Sequence, residues 1–390
     1  MKQVYLKLGK EIPVKFKHHW IFSGAVNSPK ERVEDGEIVQ VLSANREPLG
    51  HGYFNNNTTI QIRMLNFTNE NPLKTIEDNL FNAIVLRNKF FDKNTNAFRV
   101  INGEGDYIPG LVVDRYNDVL VIQVATIGIE KLKEHILNAL LDLTKDWGIK
   151  TIYEKSNMPA RTKDGLESFS GHIWGEKSES TIIVENGIKF KVNFVKSQKT
   201  GLFLDMREMR KLVGEYANGK TLLNVFSYTG GFSLYAAQGG AKKVTSVDLD
   251  KDAILNCTEN FEINKIKTPN DAIAVDAFKF LNDDPLKYDF IILDPPAFAK
   301  KKEDLPQAKR GYGQINRLVF SKIPAGSLLL TCSCSYHLSM EEFESVIKKA
   351  ASDARRNVKI LVKHHLAPDH PININHNEVD YLKSLLVYVE

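Results

Sequence analysis

The chain divides into three stretches that differ in their pattern of apolar and polar residues. Between residues 1 and 70, short runs alternate apolar and polar positions and are separated by turn residues, as in 38–42, 50–54 and 60–65. Short strands at this spacing are typical of a small β-barrel. The pattern therefore predicts a barrel domain over residues 1–70.

The middle of the chain, residues 76–195, has the pattern of a small α+β domain. Apolar residues recur at helical spacing from 76 to about 91, and a second helix is predicted over 130–146. Residues 155–180 are polar and rich in turn residues, so the pattern predicts no regular element there. The predicted strands are 110–114, 119–125, 151–154, 181–184 and 188–194, the last two joined as a hairpin by Asn186-Gly187.

From about residue 205, apolar strands alternate with helical segments. This alternation predicts an α/β fold in which a parallel sheet carries helices on both faces. We assign this third stretch to a domain over residues 196–390. Its candidate strands are 221–226, 244–248, 272–276, 290–294, 327–332, 358–362 and 382–389.

Composition and charge narrow the class of protein without naming a function. The chain has 390 residues, of which 43% are hydrophobic and 26% charged, and its formal net charge is +4, all ordinary for a globular protein. Its apolar runs fall short of the ~20 residues that span a bilayer, so no membrane partner is expected. Five lysines in the first 20 residues leave no apolar signal core, and three cysteines are too few for a disulfide framework. We therefore expect a cytoplasmic protein.

The ends of the predicted strands carry the candidate chemistry, because open α/β sheets bind ligands at the carboxyl ends of their strands. The first strand runs into a loop, 227–232, whose two glycines let the backbone approach a ligand closely. Asp248 ends the second strand, where a carboxylate can accept both hydroxyls of a ribose, and Asp276 ends the third. Together they predict an adenosine pocket, although each Asp alone is more often a helix N-cap. The loop lacks the G-x-G-x-x-G pattern, which disfavours a nicotinamide dehydrogenase.

Strands four and five end in residues suited to chemistry on a nucleobase. In the stiff loop 294–298, the Asp294 carboxylate can bond the edge of a flipped-out base while Phe298 stacks on it. A rigid turn is the plain structural alternative. If the strand continues that far, alternation points Cys332 and Cys334 to the same side. A buried inert cysteine is the plain alternative, whereas a thiol at this edge is placed to act as a nucleophile. Because Cys257 is the only other cysteine, a tetrahedral zinc site is a poor explanation, and no metal is expected.

Seven ordered motifs carry a resemblance to a known family. They are His19-Trp20-Ile21-Phe22-Ser23-Gly24-Ala25, 199–207, 226–232, 294–298, Arg310-Gly311-Tyr312, Ser333-Cys334-Ser335 and Asp369-His370-Pro371. Over nearly the whole chain they resemble class I S-adenosylmethionine-dependent 23S ribosomal RNA (cytosine-5) methyltransferases of the RlmI type. This resemblance implies a PUA RNA-binding domain at 1–70, a central α+β connector at 76–195 and a seven-stranded Rossmann-like methyltransferase domain at 196–390.

The resemblance also implies a cofactor, a substrate class and site residues. The cofactor is S-adenosylmethionine, the substrate is large-subunit ribosomal RNA, Cys334 is the nucleophile, and Asp294 bonds the base. The implied cofactor-binding residues are Phe203, Asp205, Arg207, Asn224, Phe226, Ser227, Tyr228, Thr229, Gly230, Asp248, Asp276 and Asp294. RNA contacts are expected from Lys15, Lys17, His19, Phe298, Lys300, Lys301, Lys302, Lys309 and Arg310. The oligomeric state stays open, a homodimer included.

Cytosine chemistry explains why such an enzyme needs a thiol. Carbon 5 of cytosine is a poor nucleophile until a thiolate adds at carbon 6, and a flanking lysine would help to form that thiolate. Many RNA cytosine-5 methyltransferases carry Pro-Cys after the Asp of strand four, whereas this chain has Pro295-Pro296. Another group must therefore assist release of the product.

Two other functions remain open at this point. An Asp-Pro-Pro-aromatic loop also resembles that of enzymes that methylate exocyclic amines of adenine or guanine, which need no cysteine. A non-catalytic RNA-binding factor in ribosome assembly would bind RNA without turnover.

Overall fold

The computed structural model describes residues 1–29, 31–299 and 301–390, with Asn377 described by its main chain only. The chain divides into two compact units. The first unit comprises residues 1–187, 192–204 and 368–379, and the second comprises residues 188–191, 205–367 and 380–390. Among the described residues, every helix is too short or too polar to cross a membrane.

The first unit begins with a five-stranded sheet in the order β1-β3-β4-β5-β2. Strands β1 and β3 pair in parallel, and the other neighbours pair antiparallel. Val39, Val41, Phe54 and Ile62 project into one apolar core, which is why the alternation of apolar residues was visible in the sequence. The elements are β1 Lys2–Tyr5, α1 Ile12–Lys15, β2 Trp20–Phe22, β3 Ile38–Leu42, β4 Pro48–Phe54 and β5 Ile60–Asn66.

A second five-stranded sheet in the first unit has the order β10-β9-β8-β7-β6. Helix α2 begins where Pro72 occupies the first turn and the Asn71 side chain accepts the N–H of Leu73, a favourable N-terminal cap. Helices α2 and α3 share an apolar core with this sheet. The elements are α2 Pro72–Phe90, β6 Ala97–Asn102, β7 Leu111–Tyr116, β8 Val119–Val124, α3 Ile127–Leu143, β9 Thr151–Ser156, α4 Pro159–Lys163 and β10 Phe169–Gly175.

Strand β10 lies where the sequence pattern predicted only turns. It pairs antiparallel with β9 at the edge of the sheet. Its side chains are half-buried or exposed, including Phe169 and Trp174. An edge strand with solvent near both faces shows little apolar alternation, and this is why the prediction for 155–180 was wrong.

The second unit is built on a seven-stranded sheet in the order β15-β14-β13-β16-β17-β19-β18. Its strands are parallel except β19, which lies antiparallel between β17 and β18. All seven strands predicted from the sequence are present. The order reverses beside β13, and that point of an open sheet is where ligands bind.

The elements of the second unit alternate as the sequence predicted. They are α5 Arg207–Tyr216, β13 Thr221–Val225, α6 Gly231–Gln238, β14 Lys243–Asp248, α7 Lys251–Ile263, β15 Asn270–Ala274, α8 Ala277–Asp283, β16 Phe290–Leu293, α9 Leu305–Lys322, β17 Ser327–Ser333, α10 Met340–Asp353, β18 Val358–His364 and β19 Lys383–Val389. A separate two-stranded sheet consists of β11 Ser180–Glu185 and β12 Ile188–Asn193. Asn186 and Gly187 between them both have positive φ, as a type I′ turn requires.

A buried ion pair stabilises the first unit. Arg87 on α2 exposes none of its side chain and makes two hydrogen bonds, of 2.5 and 2.7 Å, to the carboxylate of Asp106. The same guanidinium donates to the main-chain oxygens of Arg99 and Asp369, each at 2.8 Å. Residues far apart in sequence are therefore tied to α2 through one charged group.

Replacing Asp106 with Asn should lower the free energy of unfolding of the first unit by about 3 kcal/mol, because it leaves the buried guanidinium without its counter-charge. Asp78→Asn is the matched control, since Asp78 pairs with Lys74 on the exposed face of α2 and should leave the midpoint nearly unchanged. Tryptophan fluorescence during denaturation measures this unit alone, because the three tryptophans that it contains are Trp20, Trp147 and Trp174. Equal denaturation midpoints for Asp106→Asn and Asp78→Asn would contradict the stabilising role of the buried ion pair.

Candidate active site

Hydrogen-bonded polar side chains, three of them fully buried, link β13, α6, β14 and the first residue of β15. The Asn224 amide on β13 donates to Ser233 Oγ on α6 at 2.9 Å, and that oxygen lies 2.7 Å from Ser246 Oγ on β14. Ser246 Oγ in turn donates to Asn270 Oδ1 on β15 at 2.9 Å. Because buried polar groups must be paired, these hydrogen bonds set the positions of three strands and one helix relative to one another.

The loop between β13 and α6 is held in an unusual backbone conformation. Phe226, Tyr228 and Gly230 have φ of +64°, +47° and +81°. Non-glycine residues avoid this left-handed region, so surrounding contacts must hold Phe226 and Tyr228 there.

Hydrogen bonds from neighbouring elements hold this loop. The N–H of Ser227 donates to the main chain of Val247 at 2.9 Å, and the N–H of Tyr228 donates to Asp248 Oδ2 at 2.8 Å. From α7, the buried Asn260 amide donates to the Thr229 carbonyl at 3.0 Å. The loop is therefore fixed at the end of β14 as well as at the end of β13.

Two buried oxygens beside this loop suit a polar ligand. Ser227 Oγ and Asn224 Oδ1 are buried and have no hydrogen-bond partner within 1–29, 31–299 and 301–390. Gly230 is the N-cap of α6 and brings no side chain, so the helix amides stay accessible. A ligand with amino and carboxylate groups, such as the methionine part of S-adenosylmethionine, would satisfy these atoms.

The two acidic residues predicted to bind adenosine differ in their surroundings. Asp248 is half-buried at the end of β14 and accepts from the N–H groups of Tyr228 and Asp250. Asp276 is exposed, and its Oδ1 accepts the N–H of Lys279 at 2.8 Å as the N-cap of α8. Asp248 thus adjoins the loop directly, whereas Asp276 also performs the capping role that the sequence allowed for it.

The ends of β16 and β17 bring Asp294 and Cys334 to the same edge. The N–H of Asp294 lies against the Val225 carbonyl at 3.4 Å, and Cys334 Sγ lies 4.0 Å from the main-chain oxygen of Pro295. Ser335 Oγ accepts the N–H of Ala299 at 3.2 Å and fixes the loop from the other side. A thiol and a carboxylate therefore flank one short proline loop.

The ring of Phe298 is packed against neighbouring side chains rather than fully open to a base. Its ring lies 4.6 Å from that of Tyr312 and is partly buried against the core of the second unit. Gly311 packs against the same ring, where a Cβ would come within 3.0 Å of Phe298. The ring is therefore fixed, and its role in stacking on a base stays a prediction.

The two cysteines of the Thr331-Cys332-Ser333-Cys334 run occupy different environments. Strand β17 ends at Ser333, so the alternation that would place both thiols on one side of the strand does not extend to Cys334. Cys332 is fully buried, and burial, followed by the nearby charges of Asp294 and Cys334, holds its pKa well above the usual range. Cys334 is partly exposed. Cys332 is an inert protonated thiol, and Cys334 is the accessible one.

Sequence reasoning missed Lys383. This residue begins β19 and exposes only 3% of its surface, and its ammonium donates to the main-chain oxygens of Ser335 at 2.7 Å and Tyr381 at 2.8 Å. Burial lowers its pKa to about 8, against the opposing effects of Asp380, Cys334 and Glu342. A lone lysine at the start of the apolar run 382–389 was the available signal.

Three of the implied cofactor-binding residues, Phe203, Asp205 and Arg207, make contacts with other parts of the protein. Asp205 and Arg207 lie in the second unit, where the Tyr381 hydroxyl donates to Asp205 and Arg207 is 1% exposed. Phe203 belongs to the first unit, with the Lys199 ammonium 4.5 Å from its ring. Their roles in cofactor binding stay predictions.

The predicted RNA-binding residues are mostly at the surface. Lys17, Lys301, Lys302 and Arg310 are exposed, Lys15 pairs with Glu47 and Lys309 with Glu342, and Lys300 lies outside the described residues. His19 is a correction, because its ring is fully buried and its Nδ1 lies 2.8 Å from the Met64 carbonyl. Burial lowers the pKa of His19 to about 4, so it offers RNA neither a surface nor a charge.

Comparisons with known proteins agree with this geometry. Residues 158–369 match the model of an S-adenosylmethionine-dependent methyltransferase family, and residues 4–67 match a PUA-like domain. The chain is 36% identical to a protein of Aliivibrio fischeri strain ES114 named ribosomal RNA large subunit methyltransferase I, with 97% of each chain covered. The protein of that name from Pseudoalteromonas translucida is 35% identical, with 99% of each covered.

Solved structures share the fold over the full length. A methyltransferase complexed with SAH superposes with a TM-score of 0.85 at 25% identity, covering 99% of this chain and 100% of that one. An S-adenosylmethionine-dependent methyltransferase from Streptococcus mutans gives a TM-score of 0.83 at 24% identity with the same coverage. The PUA-like domain and the methyltransferase fold expected from the sequence are therefore confirmed, as is S-adenosylmethionine as the cofactor.

Replacing Gly230 with Ala should weaken S-adenosylmethionine binding by more than about tenfold, because the added Cβ would lie 2.3 Å from Cys257 Sγ and displace the loop. Gly219→Ala is the matched control: Gly219 also has positive φ, at +71°, but a Cβ there meets open space. The control should lose about 1 kcal/mol of stability and keep its affinity. Titration calorimetry with S-adenosylmethionine measures the affinity of each variant. Equal affinities would contradict a role of the loop between β13 and α6 in binding the cofactor.

Proposed function

Because the chain belongs to the family of S-adenosylmethionine-dependent methyltransferases that includes the ribosomal RNA large subunit methyltransferases I, we propose that it methylates carbon 5 of a cytosine in large-subunit ribosomal RNA. In this proposal residues 1–70 bind RNA, residues 76–195 form the connector between the other two domains, and residues 196–390 carry out the reaction. Loop 226–230 with Asn224 and Asp248 holds the cofactor, and Asp276, Phe203, Asp205 and Arg207 contribute from outside the loop.

One observation carries the choice of carbon 5. Cys334 Sγ lies 4.0 Å from the oxygen of Pro295, the residue that follows Asp294. Transfer to an exocyclic amine would need the carboxylate and an aromatic ring but no thiol. A partly exposed cysteine at the catalytic edge, beside a second cysteine that is buried and protonated, supports a reaction that uses one thiolate.

The residues of the chain divide the work as follows. Cys334 adds as a thiolate to carbon 6 of the base, which makes carbon 5 nucleophilic, while Asp294 bonds the edge of the base and favours its protonated form during addition. Bound S-adenosylmethionine supplies the electrophilic methyl group. After methylation, the proton of carbon 5 passes to a base, and the bond between carbon 6 and sulfur breaks to free Cys334.

Lys383 is the flanking lysine that we assign to the thiol. Its ammonium is fixed on the carbonyl of Ser335, the residue after Cys334, and the charge of Cys334 acts on its pKa. A cation so placed stabilises the thiolate before attack. Lys383 acts through Cys334 and is a positioning residue rather than a group that contacts the base.

Exposed basic residues provide the contact with RNA phosphates in this proposal. Lys17 in the barrel domain and Lys301, Lys302 and Arg310 after the Asp294 loop are free of the burial that removes His19 from this role. Lys300, which lies outside the described residues, stays in the proposal. Lys15 and Lys309 would have to exchange Glu47 and Glu342 for phosphate.

Cys334→Ser should abolish formation of 5-methylcytidine in unmodified large-subunit RNA, because an alcohol does not form the required anion near neutral pH. Cys332→Ala is the matched control and should keep the activity, since its thiol is buried and protonated. Mass spectrometry of nucleosides after incubation with methyl-labelled S-adenosylmethionine measures the product. Label in a methylated purine that survives Cys334→Ser would establish amine methylation instead, and RNA binding without label would favour the assembly factor.

Lys383→Met should lower kcat at least about tenfold and remove the alkaline limb of the pH profile. Above the Lys383 pKa of about 8 the wild-type ammonium loses its proton, so the wild-type rate should fall there. Lys383→Arg keeps the positive charge at high pH and should retain activity without that limb. A wild-type profile shared by both variants would exclude an electrostatic role.

A further inference from the structure

We propose that His18, His376 and Glu378 form a binding site for one divalent transition-metal ion, with Zn²⁺ as the best chemical match. All three residues belong to the first unit. The proposal rests on the arrangement of their ligand atoms and on the burial of His376, and it is independent of the reaction proposed above.

The ligand atoms of the three side chains lie close together. One ring nitrogen of each histidine and a carboxylate oxygen all lie within 4.8 Å of one another. His18 Nε2 is 3.2 Å from Glu378 Oε1, and His376 Nε2 is 3.6 Å from Glu378 Oε2. Ligand atoms about 2 Å from a tetrahedral ion lie roughly 3.3 Å apart, so the two nitrogen–oxygen distances are near that spacing, and atoms near the 4.8 Å limit would move closer together on binding.

The burial of the His376 ring without hydrogen-bond partners is a second, independent observation. Its side chain is fully buried, and neither ring nitrogen has a hydrogen-bond partner among the described residues. The ring is enclosed by aromatic neighbours, with centroids of Trp20 and His18 at 4.5 and 4.6 Å. A buried imidazole carries both a donor and an acceptor that cost free energy when unpaired, and a metal ion at Nε2 would satisfy the acceptor.

Hydrogen bonds to Trp20 hold the His18 ring beside Glu378. Its Nδ1 accepts the N–H of Trp20 at 3.2 Å and also lies 3.2 Å from the Trp20 carbonyl, while its Nε2 lies toward Glu378. On metal binding the ring proton would move to Nδ1 and be donated to that carbonyl, which frees the lone pair of Nε2 for the ion. Metal-bound histidines commonly donate their other ring N–H to such a carbonyl. Two imidazoles and one carboxylate match the ligands that zinc takes with water in the fourth position.

The ion would join two segments that are far apart in the sequence. His18 precedes β2, whereas His376 and Glu378 belong to the returning segment 368–379, about 360 positions later. Binding would fasten this segment to the first five-stranded sheet, the one that contains β2. Glu378 and His18 keep 32% and 20% of their side chains exposed, so the ion can enter from solvent.

The test is a Zn²⁺ titration of the full-length, chelator-treated protein against a chromophoric competitor. One equivalent should bind to the wild type, and His376→Phe should weaken binding more than about tenfold while keeping the aromatic contact with Trp20. Glu378→Gln is the second variant, since it retains the shape of the side chain and should also weaken binding. Co²⁺ should give the visible absorption of a tetrahedral site in the wild type only.

Two controls separate this site from others. Cys334→Ser should bind Zn²⁺ like the wild type, because the thiol lies in the second unit. His365→Phe removes a half-exposed histidine of the second unit and should also leave binding unchanged. Loss of binding in Cys334→Ser, or equal binding by the wild type, His376→Phe and Glu378→Gln, would overturn the proposal.

Discussion

The hydrogen-bonded chain from Asn224 through Ser233 and Ser246 to Asn270 is the constraint on which the catalytic edge depends. Asn224, Ser233 and Ser246 are fully buried, and an unpaired polar group there costs free energy, so their hydrogen bonds to one another hold the elements together. Satisfying those partners fixes the register of β13, β14 and β15 and the start of α6 together. The left-handed turn after β13 can then be held in a conformation that an isolated loop would not keep.

Burial assigns different tasks to chemically similar groups along this edge. Cys332 and Cys334 are two residues apart, yet one is enclosed in β17 and the other follows its end. The same desolvation that keeps the Cys332 thiol protonated makes the Lys383 ammonium easier to discharge. Environment, more than residue type, separates the inert groups from those available to a substrate.

Much of the fold could be predicted from the sequence because the central strands are buried on both faces. All seven strands of the large sheet and the turn at Asn186-Gly187 were visible as apolar runs and turn residues, and the family motifs indicated the cofactor. Strand β10 was missed because an edge strand has little apolar pattern. The exposure of His19 and the position of Lys383 depend on packing between distant segments, which spacing along the chain does not encode.

The division of the chain into units has a consequence for its synthesis. Residues 368–379 complete the first unit, and the Asp369 carbonyl is one of the partners of the buried Arg87 guanidinium. Domains ordinarily fold in order as they leave the ribosome. Here the first unit cannot complete its contacts until residues 368–379 have been synthesised, and these follow six of the seven strands of the large sheet. A chain truncated before residue 368 would keep Arg87 but lack the Asp369 carbonyl, so its first unit would stay incomplete.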